Sequence, residues 1–93
     1  MSTNPHSQEI ESSIRDFIAR SLLYSEDGFA YPDDASFLQE GIIDSLGVME
    51  LVEFVTKSFN VRVEQSEVTP AHFDSVVNLA AFVRGKISAS QLP

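Results

Sequence analysis

Apolar residues recur at helical spacing in three stretches of the chain. Ile10, Ile14, Phe17 and Ile18, with Leu22 at the edge, share one face from about Ser7 onward, while Glu9, Glu11, Arg15 and Asp16 fall elsewhere. This pattern predicts a first amphipathic helix. Asp44 is a good N-cap, and after it Val48, Leu51, Val52, Val55 and Phe59 follow at offsets of 0, 3, 4, 7 and 11. These offsets trace one helix face, so a second helix is predicted to end near Ser58. Val76, Leu79, Ala80, Val83 and Ile87 repeat the same offsets behind Asp74 or Ser75, either of which can cap a last helix. Between the two, Val61 and Val63 mark a short extended stretch. Thr69 followed by Pro70 is a cap and first-turn pair that predicts a brief helix ending near Phe73.

From Ser25 to Asp44 the period breaks. Gly28, Pro32 and Gly41 punctuate a polar run that still contains Phe29, Phe37, Leu38, Ile42 and Ile43. A connection of this length has to be pinned to the core to be ordered, and Phe37, Leu38 and one of Ile42 or Ile43 are the expected pins. Three substantial helices, one short helix and a long first loop make an all-α four-helix bundle. A mixed fold would need Val61 to Val63 to pair with a second strand, which no other stretch offers. Residues 1–93 read as a single domain, with 1–6 and 88–93 expected to be flexible tails.

A chain of 93 residues has room for one modest core. A hydrophobic content of 43% with seven Phe argues against disorder of the whole chain. Six basic residues against fourteen acidic ones give a net charge of -8, the wrong sign for gripping a nucleic-acid backbone or an anionic membrane. No segment approaches transmembrane length, and the first ten residues lack the basic start and apolar run of a secretory signal, so a cytoplasmic monomer is expected. The absence of cysteine excludes a disulfide framework and a thiolate nucleophile, so any reactive thiol has to arrive on a cofactor. The charges are also uneven. No Lys or Arg lies between Arg20 and Lys57, where Glu26, Asp27, Asp33, Asp34, Glu40, Asp44, Glu50 and Glu53 all fall. Such a stretch serves either as a solvated face or as a surface that attracts basic partners.

Candidate chemistry concentrates at Gly41 to Gly47. A hydrolase nucleophile elbow would need Gly at the position of Ile43, and only His6 and His72 are on hand as bases, neither with a recognisable partner. Both read as surface or cap histidines, no metal site is indicated, and an enzyme is not expected. As structure alone, Asp44 and Ser45 are a helix start. Gly47 in the first turn costs about 1 kcal/mol relative to Ala, which fits either a tolerated glycine or a position where a side chain would obstruct something. The side of the second helix opposite the core stripe carries Leu46, Glu50, Glu53 and Lys57, with Met49 at its margin, either exposed or partly in the core.

The run from Glu40 to Phe54, EGIIDSLGVMELVEF, closely resembles the signature around the phosphopantetheine serine of acyl and peptidyl carrier proteins. The likeness extends through the Phe37-Leu38 lead-in and the Phe73-Asp74-Ser75 start of the last helix. It implies a four-helix bundle of the acyl carrier protein type with 4′-phosphopantetheine, donated by coenzyme A, attached to Ser45 as the second helix opens. Asp44 and Leu46 would flank the attachment point, and Leu46, Met49, Glu50 and Glu53 would form the face that partners recognise. A phosphodiester there would gain roughly 0.3–1 kcal/mol from the helix N-terminus, opposed in part by Asp44. The implied partners are a phosphopantetheinyl transferase, an acyl- or aminoacyl-loading ligase and a downstream synthase or acyltransferase, in fatty acid biosynthesis or secondary metabolism. Thr56, Lys57 and Ser58 stand where housekeeping fatty-acid carriers usually have more acids, and the stretch from Glu64 to Asp74 is longer. Both departures point to a specialised, stand-alone carrier. The alternative is an acidic helical protein-protein interaction module without a prosthetic group.

Overall fold

The computed structural model describes the backbone of residues 5–90 and the side chains of 10–89. The first apolar stripe winds into α1, Pro5–Phe17, which buries Ile10 and Ile14. The chain then loosens into a π-helical turn, Ile18–Leu22, where the Leu23 amide donates to the Ile18 carbonyl at 2.9 Å. The wider turn holds Ile18 and Ala19, neighbours in sequence, in the core together.

The second stripe forms α2, Ser45–Phe59, with Leu51 and Val55 fully buried and Val48, Val52 and Phe59 half-buried. The helix ends at Phe59, one residue past the expected Ser58, and is capped by Asn60, whose left-handed backbone (φ +53°) is one that Asn tolerates. The stretch holding Val61 and Val63 forms no regular element, and the described residues contain no strand. A 3₁₀ turn, Gln65–Glu67, follows; no helical period marks it, and the Glu67 carboxylate stabilises it by accepting from the Glu64 amide at 2.8 Å. Next come α3, Pro70–Phe73, and α4, Val76–Ser90. Residues 5–6 and 88–90, expected in the tails, are helical, and the remaining tail residues 1–4 and 91–93 lie outside the described residues.

The chain is therefore all-helical, with four α-helices among the described residues. The last of them is the hub: α4 packs on α1, α2 and α3, and its Val76, Leu79, Ala80 and Val83 are completely buried. None of the helices is long and apolar enough to cross a membrane among the described residues.

The long first loop is pinned differently from the expectation. Phe37 is buried, but so are both Ile42 and Ile43, while Leu38 is 54% exposed. A one-turn helix-like bend explains this. The Ile42 amide reaches back to the Phe37 carbonyl at 2.8 Å and the Gly41 amide to the Leu38 carbonyl at 3.3 Å, closing over Gly41 at φ +68°. This is the six-to-one, five-to-two pairing that needs a left-handed residue, and glycine takes it without cost. Polar bonds complete the anchoring. Asp33 accepts from Arg15 Nη1 at 2.6 Å through its carboxylate and from the Val77 amide at 2.9 Å through its carbonyl, tying the loop to α1 and α4.

Candidate functional site

Asp44 is extended (φ −99°, ψ −174°), and its Oδ1 accepts from the Gly47 amide at 2.9 Å while its carbonyl receives the Val48 amide at 3.0 Å. It is thus the N-cap. That places Ser45 as the first residue of α2, exposed to solvent, with no hydrogen bond to its hydroxyl among the described residues. The Ser45 and Leu46 amides likewise find no acceptor among the described residues, since the cap serves only Gly47.

Gly47 is explained by packing. A Cβ at this position would lie 2.5 Å from Cγ2 of the buried Ile43, so the bare glycine lets Ile43 slide under the helix start. A side chain here would therefore obstruct something, as one reading of the sequence held, and what it would obstruct is the protein's own core.

On the outer side of α2, Leu46 is 70% and Met49 62% exposed, and Glu50 and Glu53 are exposed beside them. Met49 does not join the core. Glu53 pairs with Lys57 at 3.4 Å one turn along, whereas Glu50 has no ion pair among the described residues. The acidic character of this face is strongest at its N-terminal half, nearest Ser45.

Ser45 also borders a cleft of about 200 Å³ between the start of α2, the bend of the first loop and α3. Leu38, Val48, Val68 and Phe73 supply apolar walls, and Thr69 and Asp74 polar ones. The sequence provides no local signal for this grouping, because its walls come from three separate segments. Asp74 shapes it. The Leu38 amide donates to Asp74 Oδ1 at 3.1 Å, the Ser36 hydroxyl donates to Asp74 Oδ2, and the Phe37 amide donates to the Asp74 carbonyl at 2.8 Å. The exposed Leu38 side chain is thereby held at the cleft rim.

His72 lies elsewhere and is not the bare surface or cap histidine expected. Its ring stacks on Phe82 at 4.6 Å and its Nδ1 lies 2.9 Å from the Glu67 carbonyl. The side chain of His6 lies outside the described residues. No group of three or more His, Asp or Glu side chains that could hold a metal occurs among the described residues.

Compared with known proteins, the chain matches no family model and no curated protein.

Proposed function

We propose that the chain is a carrier protein of the acyl carrier type, modified on Ser45 by phosphopantetheine, and that it supplies no catalysis of its own. One observation carries the reading: within the Glu40 to Phe54 run that resembles the carrier signature, Ser45 is the exposed first residue of a long helix with its hydroxyl unengaged.

The residues around it suit the group. In the transferase the Ser45 oxygen would form the new O–P bond to the pantetheine-bearing phosphorus as the phosphoanhydride of coenzyme A breaks, adenosine 3′,5′-bisphosphate leaving and the hydroxyl proton passing to the transferase or solvent. The vacant amides of Ser45 and Leu46 and the helix dipole favour the resulting negative charge. Leu38, Val48, Val68 and Phe73 offer apolar surface beside the attachment point. The arm supplies a terminal thiol that holds an acyl or aminoacyl group as a thioester. Leu46, Met49, Glu50 and Glu53 form the face offered to the transferase, the loading ligase and the downstream synthase or acyltransferase. Lys57 neutralises part of that face, which favours a dedicated partner set over the general fatty-acid one.

The test is mass spectrometry after incubation with coenzyme A and a broad-specificity phosphopantetheinyl transferase. A single addition that disappears in Ser45→Ala is expected; no addition, or one that persists in the variant, overturns the proposal. The exposed Leu46 and Met49 would serve equally in an acidic interaction module without a prosthetic group, and an unmodified chain isolated from its native cell would favour that reading.

A further inference from the structure

Thr69 stands at the N-cap of α3, yet its hydroxyl does not cap the helix and makes no hydrogen bond among the described residues. A capping threonine ordinarily turns its oxygen to the amides of the first turn. Here α3 manages without it. Pro70 has no amide to satisfy, and the His72 and Phe73 amides donate to the Thr69 carbonyl at 3.0 and 2.8 Å. The idle hydroxyl belongs to a residue that lines the cleft beside Ser45.

Asp74 is the second polar wall of that cleft, and its carboxylate accepts only from neutral donors, the Ser36 hydroxyl and the Leu38 amide. Each oxygen keeps accepting capacity. Among the described residues Asp74 has no ion-pair partner, although Glu11, Asp33, Glu53, Glu64 and Glu67 all do. The segments that build the cleft also bring no base: no Lys or Arg lies between Arg20 and Lys57 or between Arg62 and Arg84. The His72 ring is turned to Phe82 and the Glu67 carbonyl. A carboxylate beside Leu38, Val48, Val68 and Phe73, with no cation of the protein's own, suits a cation that a ligand brings. Size narrows the ligand. An apolar cavity of ~150 Å³ holds one benzene, so the cleft of about 200 Å³ takes a group the size of a small amino acid.

We infer, resting on the reading that Ser45 carries the arm, that this cleft selects a cargo with a free ammonium: an aminoacyl group with a small apolar side chain, in preference to a fatty acyl chain. The flexible arm folds back beside its own attachment point. The ammonium donates to the Asp74 carboxylate and to Thr69 Oγ1, while the side chain lies on Leu38, Val48 and Phe73. A fatty acyl chain in the same place covers both polar groups with hydrocarbon and gives neither a partner. Little intrinsic affinity is needed, because a tethered group is present at an effective concentration of about millimolar.

The experiment titrates the ¹⁵N-labelled unmodified protein with alaninamide and, separately, with isobutyramide, which carries a methyl in place of the ammonium; NMR follows both. Saturable shifts at Leu38, Thr69, Phe73 and Asp74 are expected with alaninamide, and binding about tenfold weaker with isobutyramide. Asp74→Asn keeps an acceptor for the Leu38 amide, removes the charge and weakens alaninamide about tenfold. Thr69→Val weakens it about threefold at an unchanged melting temperature, since the hydroxyl holds nothing in the fold. Absence of saturable alaninamide binding, shifts clustered elsewhere, equal affinity for the two amides, or wild-type affinity in both variants would each overturn the inference. None of these outcomes alters the mass addition at Ser45, which tests the carrier reading by itself.

Discussion

Two helices in this protein begin with the same pair of residues, and the pair behaves in opposite ways. At α2, Asp44 is the cap and Ser45 is left exposed as the first helical residue. At α4 the register is shifted by one. Ser75 is the cap, accepting from the Asn78 amide at 3.0 Å, and is only 5% exposed. Asp74 is thereby released from capping and turns to the first loop, where it holds Ser36 and Leu38. The second-position amides differ as well: that of Val77 is taken by the Asp33 carbonyl at 2.9 Å, and that of Leu46 is vacant among the described residues. An Asp-Ser pair therefore supplies a cap and a hydroxyl, and the surrounding chain decides which is consumed. One start serves the fold and the other is open to chemistry.

The sharpest break of this comparison exchanges the serines. Ser45→Ala is expected to abolish modification by transferase and coenzyme A while leaving stability nearly unchanged. Ser75→Ala is expected to be modified normally but to lose about 1 kcal/mol of stability with its cap. Modification of both variants, or of neither, would remove the distinction; intact mass and urea unfolding read the two outcomes.

The aspartates should differ in the opposite sense. Asp74→Ala releases the loop bend and leaves the Ser36 hydroxyl and Leu38 amide without their acceptor, a loss of about 1–3 kcal/mol. Asp44→Ala removes one cap bond, about 1 kcal/mol. Equal urea midpoints for the two variants would show that Asp74 is not the loop anchor.

Gly47→Ala should cost about 1–3 kcal/mol by forcing Ile43 aside. Combining it with Ile43→Ala should give a clearly non-additive total, because the second change removes the clash. Additive losses would place the cause of the glycine elsewhere.

The smallest expected effect involves neither serine. Lys86 Nζ, 2.7 Å from Glu67 Oε1, donates to the carboxylate and holds its pKa below the ordinary 4.5, with the Glu64 amide helping. Below that ordinary value the unfolded chain takes up this proton first, so the pair stabilises the fold above it and the contribution is lost as pH falls through the depressed folded value. Glu67→Gln should therefore have a flatter stability profile on the acid side and differ most from wild type near neutral pH. Parallel acid limbs in the two proteins would show that the pair is not linked to folding.

Much of the fold was legible because its signals are local. The stripes at 10–18, 48–59 and 76–87 mark the faces that α1, α2 and α4 bury, and Asp44 and Thr69-Pro70 mark where α2 and α3 begin. The loop pins were legible only in part. Beyond the left-handed Gly41 both Ile42 and Ile43 are buried, and Ile43 is accommodated under the bare face of Gly47. The exposure of Leu38 depends on Asp74, thirty-six residues away. The exposed apolar face of Leu46 and Met49 was readable from the helical register, whereas the cleft beside Ser45 was not.

The four helices, the Asp44 cap, the acidic balance and the likeness to carrier proteins around Ser45 are all written in residues a few positions apart and could be read from the sequence alone. Tertiary structure alone decided which Asp-Ser pair would stay open. Closing a helix start takes partners from a distant segment: the Asp33 carbonyl accepts from the Val77 amide, and the 36–38 bend donates to Asp74. Nothing among the described residues closes the amides of Ser45 and Leu46 in the same way, so the hydroxyl of Ser45 remains at the surface.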